Sequence, residues 1–185
     1  MSQGVCPWWF GYFLTCPLRR LAFDPAKFLA PYVQDGMTVL EPGPGMGFCT
    51  LELARLVGPR GRVLAVDIQT RMLQALRRRA AKAGLLERIE ARLATPDSLA
   101  LDGLDGAVDF ALAFAMVHEM PSVSVFFTEA ARALRPGACL LLAEPSGHVK
   151  APAFQAELDA AAQAGFEVTG RPHIRSNQAA LLKKV

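Results

Sequence analysis

Three glycines at positions 43, 45 and 47 follow directly on a carboxylate in the run Val39-Leu40-Glu41-Pro42-Gly43-Pro44-Gly45-Met46-Gly47-Phe48. Such a loop can take unusual dihedrals and press backbone N–H groups against a ligand. Glu41 adds a negative charge where the apolar run stops, which suits a ligand with a cationic or hydroxylated part better than a bare polyphosphate. A second acid, Asp67, closes the run Val63-Leu64-Ala65-Val66. It follows the glycines by roughly the 20 residues at which an acid accepts from ribose hydroxyls. Glu144 closes a third run, Leu140-Leu141-Leu142-Ala143. For proton transfer the best candidate is His118, because an imidazole titrates near neutrality and can accept from a hydroxyl or a thiol. A structural histidine bonded to its own loop is an equal alternative. Glu119 either orients His118 or faces solvent. Glu144 and His148 border the same pocket in this reading, and Arg171, His173 and Arg175 can join it.

The elements that must position these groups alternate. Asp24-Pro25 reads as an N-cap and a first-turn proline for a helix to about Pro31. Met37–Glu41 is a strand buried on both faces, and Phe48 to about Val57 an amphipathic helix stopped by Gly58-Pro59-Arg60-Gly61. Strand Val63–Asp67, helix Thr70–Ala83 and strand Ile89–Ala94 follow, then a loop or short turn over Thr95–Leu101. Val108–Ala115 is the most apolar strand. Ser122 can cap a helix with Val123, Phe126, Phe127, Ala130 and Leu134 at helical spacing, ended by Arg135-Pro136-Gly137. Ala138–Glu144, a helix Pro152–Ala164, a strand starting at Gly165–Val168 and a strand Ala179–Lys184 complete the chain. This alternation predicts an α/β fold with a parallel sheet covered on both faces. Ligands bind such sheets beyond the carboxyl ends of the strands, where Glu41, Asp67 and Glu144 all fall.

At 185 residues, 52% apolar and 20% charged, the chain reads as one ordinary globular domain. A net charge of +3 gives no case for nucleic acid, and the run Arg77-Arg78-Arg79 is expected on a solvated helix face. Cys6, Cys16, Cys49 and Cys139 lack zinc-type spacing and suggest no disulfide framework, so a reducing cytoplasm is expected and no metal. The uncharged span from Ser2 to Leu18 holds Trp8, Trp9, Phe10, Tyr12 and Phe13. It is neither a good signal peptide nor the ~20 apolar residues that a membrane helix needs. It is read as a packing segment, a lid or a surface anchor.

The dinucleotide fingerprint G-x-G-x-x-G requires a third glycine where Phe48 stands, and no G-K-[ST] completes a P-loop. The pattern Glu41-x-Gly43-x-Gly45-x-Gly47 resembles motif I of the class I S-adenosylmethionine-dependent methyltransferases. The resemblance continues through Val63–Asp67, Asp109–Met120, Leu134–Gly137 and Leu141–Pro145, and covers about Ala22 to Val185. It is strongest to the small bacterial stand-alone methyltransferase-domain type, similar in its core to quinone and arsenite methylases.

The resemblance implies a Rossmann-like three-layer sandwich with a mostly parallel seven-stranded sheet, order 3-2-1-4-5-7-6, last strand antiparallel. It implies S-adenosyl-L-methionine as cofactor and S-adenosyl-L-homocysteine as product. Gly43, Pro44, Gly45 and Gly47 would pass under the methionine and ribose parts. Glu41 would organise the methionine amino end, Asp67 would take both ribose hydroxyls, and Ile68 would flank the adenine. Where the family often has an acid for the adenine amino group this chain has Thr95-Pro96. Either Asp97 reaches back, with Ser98 beside it, or Thr95 and backbone groups serve; Asp97 as a helix N-cap is nearly as good a reading. Phe114 and Ala115 would touch the methionine end through backbone atoms.

Methyl transfer is in-line displacement at a sulfonium carbon, so alignment and exclusion of water suffice and a dedicated catalytic residue is optional. The expected activity is transfer to a small, perhaps apolar, acceptor. The alternative is a cofactor-binding module or regulatory subunit without catalysis. The family places its N-terminal extension over the active site, which makes residues 1–21 a lid, with Trp8, Trp9 and Tyr12 on the substrate wall beside His118, Glu144 and His148. Covering a sheet face or a homodimer contact is the other reading. No Asn/Asp-Pro-Pro-aromatic tetrad, Pro-Cys motif or recognition domain points to a nucleic-acid substrate.

Overall fold

The computed structural model describes residues 23–185. The N-terminal expectations, including the lid and the roles of Trp8, Trp9 and Tyr12, lie outside the described residues. The described residues divide into two compact units, one over residues 23–94 and one over 95–185.

In the first unit, Asp24 Oδ1 accepts from Ala26 N at 3.1 Å and starts the short helix α1, Pro25–Leu29, as its Asp-Pro pair predicts. Strand β1, Thr38–Pro42, leads through the glycine loop into α2, Thr50–Leu56. β2 is Arg62–Asp67, α3 is Thr70–Lys82 and β3 is Ile89–Leu93. β1 runs parallel to β2, with Glu41 opposite Ala65, and β2 parallel to β3. Val39, Leu40, Val63, Leu64 and Ala65 have no exposed surface, as strands covered on both faces require. Met72, Leu73, Leu76 and Ala80 form the buried stripe of α3. Each such leucine contributes about 1.5–3 kcal/mol through burial.

The arginine run on α3 is not simply a solvated face. Arg77 donates to the carbonyl of Ala91 at 3.1 Å, and Arg79 donates to the carbonyl of Met46 inside the glycine loop. Arg78 alone keeps to the exposed side without such a bond among those seen.

The second unit holds β4, Val108–Phe114; α4, Val123–Ala133; β5, Leu134–Pro145; α5, Ala151–Gln163; β6, Phe166–Gly170; and β7, Asn177–Lys184. Ser122 Oγ accepts from Val125 N and caps α4, as expected. Leu134 is not the last apolar position of that helix. It has extended dihedrals, is fully buried and pairs with Val108, so β5 begins there rather than at Ala138. Arg135-Pro136-Gly137 ends the helix but lies inside the strand, where a register shift between Val108 and Phe110 absorbs the turn-forming residues.

β4 and β5 are parallel, while β7 is antiparallel to both β5 and β6. The strand order is β3-β2-β1-β4-β5-β7-β6, the expected mixed Rossmann-like sheet. No helix among the described residues is long and apolar enough to cross a membrane.

Candidate functional site

The glycine loop is shaped by what packs beneath it and by what stands free above it. Gly47 has φ of +83°, and a Cβ there would lie 2.3 Å from Leu76 Cδ1, so both backbone and packing require glycine. Gly45 has φ of +53°, but a Cβ on it would meet nothing within 4 Å. The loop is therefore pressed onto α3 at Gly47 and open at Gly45. Gly43 N donates to Val66 O at 2.8 Å and Gly47 N to Pro44 O at 2.9 Å, which leaves a compact turn tied to β2 and to itself. The bond from Arg79 to Met46 O fixes its far side.

Glu41 is next to last in β1 with only 3% of its surface exposed, and its Oε2 has no hydrogen-bond partner among the described residues. Burial pushes this carboxyl up to about 8; the nearby Thr50 hydroxyl works against the shift and the Asp67 carboxylate adds to it. Thr50 Oγ1 is also buried and unpartnered. A buried acid with spare hydrogen-bonding capacity is costly unless something completes it. Asp67 ends β2 at 8% exposure, and its Oδ1 accepts from Gln69 N at 2.8 Å. Ile68 beside it is 41% exposed, a large apolar side chain presented at the strand end. Glu41, the glycine loop, Asp67 and Ile68 are thus gathered at the carboxyl ends of two paired parallel strands.

The second unit gathers a different set. Phe114 ends β4, and Ala115 follows with a left-handed φ of 55°, an unusual conformation for alanine that its N–H bond to Ala143 O helps hold. The chain then makes a 3-10 turn, Val117–Glu119. Glu144, near the end of β5, is wholly buried. Its Oε1 accepts from Met116 N at 3.2 Å and Val117 N at 2.8 Å, and its Oε2 is 2.5 Å from His118 Nδ1. Glu144 thus spends both oxygens on the loop and on the imidazole that it holds. His118 keeps 18% of its side chain exposed, and its Nε2 is 4.0 Å from Glu119 Oε1. His148 is exposed and meets His118 edge-on at 6.3 Å between ring centroids. The bond to Glu144 raises the His118 pKa above 6.5 against the opposing effect of burial, with Glu119 and Glu157 adding to the rise.

Thr95, Asp97 and Ser98 form a loop bonded to itself. Thr95 N donates to Ser98 O, Ser98 N to Thr95 O, and Ser98 Oγ accepts from Ala100 N. No helix starts here, so Asp97 is not an N-cap; it is exposed at the tip of a tight turn. Asp97 and Ser98 line a cavity of about 80 Å³ with Met120, Pro121, Val125 and Glu129, and Glu129 Oε2 anchors Leu99 N at 2.6 Å. Arg171 lies over the Phe154 ring, and His173 and Arg175 are exposed.

Three residues have roles the motifs did not signal. Thr50 stands beside Glu41, Arg79 holds the glycine loop, and Glu157 is a further buried acid. Glu157 was detectable, because it falls within the buried stripe Phe154, Leu158 and Ala161 on α5. Its carboxyl is raised to about 8, by burial first and by the Glu144 carboxylate second, with His118 working against the rise.

Residues 39–137, a little over half of the chain, match the family described as a methyltransferase domain. The chain belongs to that family and to the class I S-adenosylmethionine-dependent methyltransferases. It is similar to a SAM dependent methyltransferase from Aquifex aeolicus, with a TM-score of 0.86 and 26% identity over 98% of this chain and 100% of that one. It is 34% identical over 145 residues to a ubiquinone/menaquinone biosynthesis C-methyltransferase of Hahella chejuensis, covering 78% of this chain and 51% of that protein. It is 33% identical over 114 residues to an arsenite methyltransferase of Halobacterium salinarum, covering 62% of this chain and 28% of that protein. The chain thus spans about a quarter to a half of the length of the curated relatives it matches. The residues fit the family's cofactor: Glu41 Oε2 is a buried acceptor without a partner, and the space over Gly45 is open.

Proposed function

We propose that this chain binds S-adenosylmethionine at the carboxyl ends of β1 and β2 and transfers its methyl group to a small acceptor. The observation that carries the reading is the unpartnered, buried Glu41 carboxyl beside a glycine loop open at Gly45. A cationic amino group completes such an acid, and charge complementarity drives Glu41 to release its proton on binding. Asp67 takes the ribose hydroxyls, Ile68 gives the adenine an apolar wall, and the loop N–H groups and backbone approach the rest. The family resemblance also assigns Thr95, Asp97, Ser98, Phe114 and Ala115 to cofactor binding. The cofactor, when bound, supplies an electrophilic methyl on a sulfonium. His118 accepts the proton of a hydroxyl or thiol acceptor at Nε2. The names of the similar proteins offer two acceptor classes, a quinone-type ring and arsenite. The imidazole–carboxylate pair favours the acceptor that brings a proton.

Calorimetry with S-adenosylhomocysteine tests the cofactor. Micromolar binding by the intact chain is expected; no binding, accompanied by binding of NAD, would overturn the proposal. A second reading, a cofactor-binding module without turnover, draws support from the longer chains of the curated relatives. Formation of S-adenosylhomocysteine against a panel of phenols, hydroquinones, thiols and arsenite separates the two.

A further inference from the structure

Glu144 is the only acid among the described residues whose carboxylate is seen to bond both a loop backbone and an imidazole. Its Oε1 holds two successive N–H groups, Met116 and Val117, and its Oε2 holds His118 Nδ1, while the Glu144 side chain itself has no exposed surface. Two backbone donors on Oε1 force that oxygen to be an acceptor. Oε2 faces a ring nitrogen at 2.5 Å, a distance that requires a proton between them. We propose that Glu144 is a positioning residue: it fixes His118 in the tautomer protonated at Nδ1 and leaves Nε2 as the nitrogen that takes the acceptor's proton. This rests on the reading of His118 as the proton acceptor in methyl transfer.

The geometry separates this role from simple packing. A neutral imidazole has one donor and one acceptor nitrogen, and the bond made by one decides the function of the other. With a carboxylate at Nδ1, Nε2 carries the lone pair and the imidazolium formed after proton uptake stays paired. Ala115 in its left-handed conformation and the 3-10 turn after it bring His118 back onto Glu144. Among the described residues, four titratable groups face or border the ring: Glu144 from β5, Glu119 from the same turn, His148 after β5 and Glu157 from α5. Burial is the main cause that raises the Glu157 carboxyl to about 8, and Glu144 adds to the rise.

Glu144→Gln tests the assignment because it keeps the shape and inverts the chemistry. The amide oxygen must stay under the Met116 and Val117 N–H groups, so the amide nitrogen faces Nδ1. His118 is then driven to the tautomer protonated at Nε2, the wrong nitrogen for proton uptake. Imidazole nitrogen shifts from two-dimensional NMR read the tautomer, and a pH titration of the ring reads its proton affinity. The wild-type chain is expected to be protonated at Nδ1 and to titrate above 6.5. The variant is expected at Nε2, with proton affinity lower by at least tenfold. Wild-type protein found at Nε2, or a variant with unchanged tautomer and titration, overturns the proposal, and the wild-type measurement stands even if the variant fails to fold. Calorimetry with S-adenosylhomocysteine in parallel keeps the cofactor reading separate: its failure in wild type with the Nδ1 tautomer present would sink that reading alone. For turnover with hydroquinone as probe, kcat is expected to drop 100-fold or more with KM within twofold. Equal kcat in both proteins would also overturn the proposal.

Discussion

Two glutamates occupy equivalent places in the two halves of this chain and do opposite things. Glu41 stands next to last in a buried strand of the first unit and has an oxygen that nothing among the described residues satisfies. Glu144 ends a buried strand in the second unit and bonds two backbone amides and an imidazole. Both are almost fully buried, so solvent exposure does not distinguish them. The difference is hydrogen-bond supply. An acid whose bonds are complete within the fold is a rigid fixture that orients its neighbours. An acid left incomplete raises its own pKa and is poised to be completed by a cation. The proposed function thus assigns binding to the first half and proton handling to the second.

That division can be broken by variants that should each damage one function and spare the other. The largest effect is expected from His118→Ala. Turnover of the acceptor should drop by about 10² to 10⁴, the range for loss of a general base, while S-adenosylhomocysteine affinity stays within twofold. Next, Asp67→Ala should weaken S-adenosylhomocysteine by roughly 100-fold in calorimetry, through loss of charge-assisted bonds worth about 1.5–3 kcal/mol each. The melting transition and the His118 ring titration should not change. Affinity unchanged in Asp67→Ala, or lost in His118→Ala, would show that the two functions are not divided in this way.

The smallest effect sharpens the comparison at Glu41. Its carboxyl titrates near 8 in the folded chain against 4.5 ordinarily. The native state therefore holds a proton that the unfolded state releases, and this group's contribution to stability falls as pH rises from 4.5 to 8 and is constant below 4.5. Glu41→Gln removes that decline. The variant should match wild type at pH 4 and be more stable by on the order of 2 kcal/mol at pH 8, read as a melting point several degrees higher. Glu157, raised likewise, leaves a residual slope in both proteins. A variant less stable than wild type at pH 8 would mean that Glu41 is satisfied after all.

Much of the frame was legible in the residues. The strands near Glu41, Asp67 and Glu144 and the helices between them follow from continuous apolar runs and 3.6-residue stripes, which report burial directly. What the sequence did not disclose depends on direction rather than burial. Glu144 reads as a pocket acid because its position at a strand end is visible but its aim toward Met116, Val117 and His118 is not. Arg79 sits in a charge run that looks solvated, and only the fold brings it to Met46 O. Leu134 fits the helix stripe and the strand equally, and pairing with Val108 decides it. Asp97 has a capping residue's chemistry but no helix to cap, because Thr95 and Ser98 close the turn on themselves.

The order of the last strands sets a schedule for assembly. β6 precedes β7 in the chain, yet its one neighbour in the sheet is β7, which lies between it and β5. Until residues 177–184 arrive, β6 has nothing to pair with and β5 exposes a bare edge along Cys139–Pro145. Unpaired apolar edges are templates for other chains, and pairings that await a later segment are slow. Pairing of β7 with both β5 and β6 is therefore the step that closes this side of the sheet.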